Sequence, residues 1–293
     1  MADAAVSTAT VDELAAASQV AGHALIAQVL REAQPYIEAL RGRTLVIKLG
    51  GSALDNQRDA LEDIVWLRGL GAYPVLAHGG GPEINQWLAR TGLPRRFERG
   101  LRVTDAATLD VVRMVLAGKV NGDLVRLLVS LGGRAVGLTG LDGGLLRARQ
   151  IAPDLGYVGA VTAVDAGVIT ALSEAGFIPV VAPLALGEGD IVLNVNGDDA
   201  AAAIAAALGA EELLLVSDVA GVLLDAQPVS ALGPDDAQRL IEDGTARGGM
   251  AAKLQAALSA LDGGVQRVRI SDIAAITDAH RGTVLTRVGS MAV

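Results

Sequence analysis

The 293-residue chain has no cysteine, which excludes a disulfide framework, thiolate zinc sites and cysteine nucleophiles. Histidine is almost as scarce. His23, His78 and His280 are the only three, and no HExxH pattern occurs, so a histidine-built metal site is not expected. Aromatic residues are few, and no apolar run approaches the ~18 residues of a membrane span. The stretch Met1–Asp12 lacks the basic n-region of a signal peptide, so a globular cytoplasmic protein is expected. A formal charge of −9 argues against general nucleic-acid binding, because neutralising phosphates takes clustered Lys and Arg. Familiar signatures are missing too: there is no GxxxxGK[ST] loop, no complete GxGxxG, no HRD loop and no GxSxG elbow.

Lysine is the remaining scarcity. Of 24 basic residues 21 are arginine, leaving Lys48, Lys119 and Lys253. A compact ammonium acts as a point charge in a tight site, whereas arginine brings a broad planar fork. Two of these three lysines fall beside glycine-rich turns. The charge is also unevenly spread. Residues 90–149 hold 11 bases against 5 acids, while residues 185–246 hold 12 acids and the single base Arg239. Such asymmetry fits either a segment that handles anions or two ordinary solvated faces.

The length accommodates two lobes or one large α/β domain. Thr10-Val-Asp-Glu13 reads as a capping box opening a leader helix, which Pro35 should kink or restart before a short piece at Tyr36–Leu40. From Thr44 strands and helices alternate. Strands are predicted at Thr44–Leu49, Tyr73–Ala77, Arg134–Leu138, Leu145–Arg149, Phe177–Ala182, Glu212–Val216 and Gln266–Ile270. Helices are predicted near residues 56–70, Glu83–Arg90, Asp105–Leu131, Asp165–Ala175, Asp198–Leu208, Pro234–Asp243 and Met250–Leu261. This order implies a mostly parallel sheet with helices on both faces, and a lobe boundary is placed near Pro179–Pro183.

Four stretches bear on phosphate handling. Lys48-Leu-Gly-Gly-Ser52 sets a lysine near a strand end, one residue before glycines whose N–H groups can approach an anion; a plain strand–turn–helix link reads the same way. His78-Gly-Gly-Gly-Pro82 also joins a strand to a helix, and three glycines cost more backbone entropy than a turn needs unless a ligand or a packed neighbour comes close. Asn194-Val-Asn196-Gly-Asp198 supplies helix caps or ligand contacts. Gly248-Gly-Met-Ala-Ala-Lys253 opens a helix with a cation in its expected first turn, unfavourable by ~0.3–1 kcal/mol unless an anion shares the spot.

Taken in order, these stretches resemble the amino acid kinase family from about Tyr36 to Ile270. The matching motifs are IKLGGSAL (Ile47–Leu54), HGGGPEIN (His78–Asn85), GLRVTD (Gly100–Asp105) and AGKVN (Ala117–Asn121). They continue through AVGLTGLDGGL (Ala135–Leu145), NVNGDDAA (Asn194–Ala201), SDVAGVL (Ser217–Leu223) and GGMAAK (Gly248–Lys253). The resemblance implies a three-layer αβα sandwich around a mainly parallel sheet, with an N-terminal helical arm (residues 1–40), an acceptor lobe (41–181) and an ATP-binding lobe (182–293). It implies ATP-dependent phosphorylation of the side-chain carboxylate of N-acetyl-L-glutamate in arginine biosynthesis, with Mg²⁺ held mainly by the nucleotide phosphates. Relatives acting on an N-blocked 2-aminoadipate, or sensing a metabolite without catalysis, would share most of these motifs.

The resemblance also implies roles for single residues. Lys48 and Lys253 match lysines that stabilise the transferring phosphoryl group, and Asp198 the aspartate that positions them. Gly80, Gly81, Arg102 and Asn194 match positions that hold the acceptor. Gly50, Gly51, Ser217, Asp218, Gly248, Gly249 and Met250 match the nucleotide site. The leader resembles the helix that interlaces dimers in hexameric members, so a homodimer or a hexamer is implied.

Overall fold

The computed structural model describes residues 11–50, 57–224 and 227–287. The chain divides into a helical unit, Met1–Arg41, and a second unit, Gly42–Val293. The first is built on α1 (Val11–Leu40), which contains Pro35 in its interior. The predicted restart at Pro35 is therefore corrected to one continuous helix. The proline removes only one N–H donor, and side-chain pairs four residues apart, Gln28 to Glu32 and Gln34 to Glu38, brace the turns around it. Leu25, Ile26, Val29 and Leu30 leave an exposed apolar stripe on this helix. Thr10, the expected cap, lies outside the described residues.

The second unit opens with β1 (Thr44–Leu49), α2 (Gln57–Gly69), β2 (Tyr73–His78), α3 (Gly81–Arg90), β3 (Phe97–Glu98), β4 (Leu101–Arg102) and α4 (Ala106–Arg113). A π-helical segment, Met114–Val120, runs straight into α5 (Asn121–Ser130). There follow β5 (Ala135–Thr139), β6 (Leu146–Gln150), β7 (Val158–Val164), α6 (Gly167–Glu174), β8 (Ile178–Ala182), β9 (Leu184–Leu186), β10 (Val192–Val195), α7 (Gly197–Ala207) and β11 (Glu212–Val216). The last stretch holds β12 (Leu223–Leu224), β13 (Gln227–Pro228), β14 (Ala231–Leu232), α8 (Pro234–Glu242), α9 (Gly248–Asp262), β15 (Arg267–Ser271) and β16 (Thr283–Thr286).

Eight strands form the central sheet in the order β14-β16-β15-β11-β1-β2-β8-β5, and only the β15–β16 pairing is antiparallel. Helices cover both faces, as the sequence pattern predicts. Alternate residues point to opposite faces, so Val46, Val75, Ala77, Val181, Leu213, Leu215, Val268 and Ile270 join one apolar cluster with the buried alanines of α7 and α9. The intervening Ile47, Leu49, Leu76 and Leu214 are buried as well, as both-face coverage of a parallel sheet requires. A second, closed four-stranded sheet (β10-β7-β6-β9) was not predicted beyond β6. Val158–Val164 is seven residues long with four β-branched side chains, a strand signal that the sequence reading passed over.

Behind the sheet, the starts of β11 and β15 hold a buried charge cluster. Arg269, 3% exposed, donates from Nε to Glu212 Oε1 at 2.6 Å and from Nη1 to the Asp278 carbonyl. Arg267 donates to the Ala279 carbonyl at 2.6 Å, so the two arginines strap the segment before β16 onto the sheet. Removing one partner of a buried pair strands the other charge. Arg269→Ala should therefore lower the unfolding free energy by about 3–5 kcal/mol in urea titrations; a change within experimental error would show that the strap carries no stability.

Candidate functional site

In a parallel sheet the carboxyl ends of neighbouring strands open onto one crevice. β1 ends there with Lys48, and β2 ends with His78 and the turn Gly79–Gly80. The alternation that buries Val46 turns Lys48 to the same face, the one covered by α7. There Asp198, in the first turn of α7, receives it: Lys48 Nζ lies 2.7 Å from Asp198 Oδ1. Lys253 arrives from α9 and places its Nζ 3.2 Å from Oδ2 of the same carboxylate. The Asn196 side chain caps α7 by accepting the Asp198 N–H at 2.8 Å, which fixes the carboxylate at the helix start.

Lys48 and Asp198 are each 6% exposed. Burial would raise the Asp198 pKa, but the two ammonium groups outweigh it and hold the carboxyl below its usual range. Burial and the charge of Lys253 pull Lys48 below its ordinary value, against the attraction of Asp198. Two lysine ammonium groups thus share the Asp198 carboxylate, and a second carboxylate, Asp199, acts on Lys48 from the next position. Asp199 reaches solvent, yet its packed surroundings, with the Asp198 charge beside it, push its pKa up to about 6. Gly50 makes room for the arrangement, since a Cβ there would lie 2.2 Å from Lys48 Nζ. Lys253 sits past the first turn of α9, because the helix starts at Gly248 rather than Met250. Its local partner is thus Asp198 and not the helix end, which corrects the first-turn expectation.

A polar cavity of about 320 Å³ opens beside this cluster's α7 cap, lined by Gly81, Asn85, Phe97, Arg102, Asn194 and Asn196 among others. Arg102, 8% exposed, donates from Nη2 to Asn85 Oδ1 at 2.6 Å and lies over the Phe97 ring, 4.8 Å from its centre. Its Nη1 is buried without a hydrogen-bond partner. Burial, with Arg95 nearby, lowers its pKa to about 10, so it stays charged. Asn194 donates to Thr104 Oγ1 at 3.2 Å, and that hydroxyl donates to the Arg102 carbonyl at 2.8 Å.

A second cavity of about 320 Å³ is apolar, lined by Val219, Val222, Leu223, Leu224, Leu240 and Met250 with Thr245 to Arg247. Met250 is the one predicted nucleotide residue in its wall. Ser217 and Asp218 adjoin Val219 at the end of β11, and Gly248 and Gly249 adjoin Arg247. Gly81 lines the polar cavity, whereas Gly80 packs behind it: a Cβ there would meet Leu116 Cδ2 at 2.7 Å. Gly51 lies outside the described residues.

Sequence reasoning passed over three residues inside motifs it had singled out. Asn85 holds Arg102, and Asn121 holds the ring of His78, which is fully buried. Burial lowers the His78 pKa to about 4, opposed by its bond to the Gly79 carbonyl and aided by the Lys48 charge. The ring is neutral at neutral pH. Between pH 6.5 and about 4 the unfolded chain takes a proton that the folded chain refuses. Acidification across that window should therefore remove up to about 3 kcal/mol of stability through this group. Urea titrations at both ends of the window should show that loss in the parent chain and its disappearance in His78→Asn; equal slopes would exclude the assignment.

The amino acid kinase family profile matches residues 43–272. An acetylglutamate kinase of Thermosynechococcus vestitus is 47% identical over 253 residues, covering 84% of this chain and 86% of that protein. An acetylglutamate kinase of a Synechococcus strain is 44% identical over 275 residues, covering 88% of each chain. Among solved structures, N-acetylglutamate synthase from Neisseria gonorrhoeae, complexed with coenzyme A and N-acetyl-glutamate, superposes with a TM-score of 0.77 at 30% identity. That match covers 90% of this chain and 63% of that one.

Proposed function

The chain belongs to the amino acid kinase family, and from that premise we propose that it transfers the γ-phosphoryl group of ATP to the side-chain carboxylate of N-acetyl-L-glutamate, forming an acyl phosphate. One observation carries the reading: Lys48 and Lys253, from opposite ends of the fold's sequence, meet on the single carboxylate of Asp198. The polar cavity closes on Asn196, two residues before Asp198, and the apolar cavity on Met250, one turn before Lys253. Acceptor and nucleotide thus have separate seats, both built from residues that lie between Lys48 and Lys253 in sequence. An acceptor lobe within residues 41–181 and a nucleotide lobe within 182–293 fit this division, with Asn194, Val195 and Asn196 of the second reaching across to the acceptor cavity.

The acceptor carboxylate is ionised at neutral pH, so the reaction needs no general base. It needs two anions aligned and charge neutralised on the moving group. Two unit charges ~4 Å apart interact by ~4 kcal/mol at an effective dielectric of ~20, so an ammonium group set beside the moving group offsets repulsion of that size. The unpartnered Nη1 of Arg102 supplies a donor for a carboxylate of the acceptor. The apolar cavity beside Met250 suits the base of the nucleotide, with Gly50 toward its phosphates. Mg²⁺ has no built protein site among the described residues: no group of acidic or histidine side chains could hold it, and both Asp198 oxygens are engaged by lysines. The phosphates of the nucleotide would hold it, where it would add further charge neutralisation.

Lys253→Ala should lower turnover by roughly 10²–10³, as loss of one preorganised donor does elsewhere. Coupled ADP release with N-acetyl-L-glutamate measures it; an unchanged rate would remove Lys253 from the reaction, and no ADP release by the parent chain would overturn the reading. The exposed stripe on α1, Leu25, Ile26, Val29 and Leu30, supports a homo-oligomer joined through that helix. A chain beginning at Arg41 should sediment as a smaller assembly than the full chain. An unchanged assembly size rejects this role for α1.

A further inference from the structure

We propose that Asn121 is a positioning residue for phosphoryl transfer: it locks the His78 ring in one tautomer, and that ring fixes the Gly79 carbonyl and with it the glycine turn at the end of β2. The inference rests on the phosphoryl-transfer reading for its consequence, though not for its geometry. Asn121 is 4% exposed and opens α5 directly behind the π-helical segment. Its Nδ2 lies 3.0 Å from the Val180 carbonyl of β8 and 3.2 Å from the Leu138 carbonyl of β5. Two carbonyl oxygens accept only, so they fix which end of the amide is nitrogen; the flipped amide would face oxygen with oxygen. The same Nδ2 lies 3.0 Å from His78 Nε2, so its two N–H groups are shared among three acceptors. A donor there requires a bare Nε2, which leaves the ring proton on Nδ1. Nδ1 then donates to the Gly79 carbonyl at 2.9 Å.

The consequence follows from peptide geometry. A trans peptide sets its N–H opposite its carbonyl, so a Gly79 carbonyl held by the ring turns the Gly80 N–H away from it. That N–H finds no backbone acceptor among the described residues, as befits a donor kept for an anion at a helix start. The π-helical segment completes the clamp from the other side, pressing Leu116 and Val120 where a Gly80 Cβ would lie, at 2.7 and 3.3 Å. Space for the asparagine is built in as well. A Cβ on Gly137 would come 2.0 Å from Asn121 Oδ1. Lys48 and His78 belong to opposite faces of adjacent strands, since Lys48 pairs in register with Ala77 and Leu49 with His78. The cation pair therefore works from one side of the strand ends and the clamp from the other. Lys48 is the charged group that acts on the ring, and it disfavours a second proton there.

Three histidines make the ring observable by imidazole ¹⁵N–¹H correlation spectroscopy. The parent chain should show one histidine that holds the Nδ1–H tautomer at neutral pH, and His78→Asn should remove that signal. If His78 carries its proton on Nε2, or exchanges between tautomers, the proposal fails whatever the kinetics. Asn121→Ala should lower kcat roughly tenfold, because small misplacements of positioning groups slow transfer strongly, while leaving the nucleotide KM unchanged. His78→Asn keeps a donor for the Gly79 carbonyl without needing a fixed tautomer. In that background Asn121→Ala should therefore cost little further kcat, and the two changes should be strongly non-additive. Full additivity, or a parent-like kcat in a folded Asn121→Ala, overturns the positioning role. Should the parent chain release no ADP with N-acetyl-L-glutamate, the phosphoryl-transfer reading falls, and the tautomer measurement still decides whether the clamp exists.

Discussion

Two ammonium groups on one buried carboxylate set the terms for the rest of this molecule. Lys48 comes from the carboxyl end of β1 in the middle of the sheet, Asp198 from the start of α7 and Lys253 from α9. Such a cluster is costly to assemble, since like charges repel and both ions lose water. Asp198 makes it tolerable by taking a lysine on each oxygen, and Asn196 keeps Asp198 in place through the helix cap. The two lysine nitrogens held there supply donors for an anion in the same crevice. A site of this composition is better suited to steadying a phosphoryl group in transit than to moving protons, which agrees with an acceptor that is already ionised.

The parallel sheet explains why so few residues suffice. Neighbouring strands end level with one another, so the last residues of β1 and β2 meet at one edge without long loops. Alternation then divides the labour between faces: Lys48 turns toward α7 and α9, while His78 turns toward α5. Glycines stand at the places where these groups crowd the backbone. Gly50 gives way to the Lys48 ammonium, Gly80 to the π-helical segment and Gly137 to Asn121. Each is a packing requirement that a methyl group would violate, and each ties a turn's composition to a particular neighbour.

What was legible in the sequence was what repeats or alternates. The buried strands TLVIKL and ELLLV and the amphipathic helices between them carry strong periodic signals, so the layered sandwich could be read directly. The site was legible where rare residues coincide with glycine turns, as at Lys48 and Lys253. Asn121 was not, because its role depends on two carbonyls, Leu138 and Val180, that are distant in sequence and become neighbours only through strand pairing. The π-helical segment was equally hidden: Met114–Val120 reads as ordinary helix, and its contact with Gly80 joins residues distant in sequence. The small closed sheet was missed at β9 and β10 because runs of three and four residues are too short to show a period.

The near-replacement of lysine by arginine throughout the chain gains its meaning from this geometry. Lys119, the third lysine, is exposed and pairs with Asp123 at 3.0 Å, a surface role that arginine could fill. Lys48 is different. The space around its nitrogen is so restricted that one added carbon at Gly50 would collide with it, and a guanidinium is several atoms larger. Arg102 shows the converse requirement, since one nitrogen must reach Asn85 while another stays buried and available, which a single ammonium could not do. The choice between the two cations is thus set by the local volume and by the number of directions in which hydrogen bonds are needed. In a chain otherwise rich in arginine, Lys48 is the lysine that sits where a point charge has to fit against the backbone.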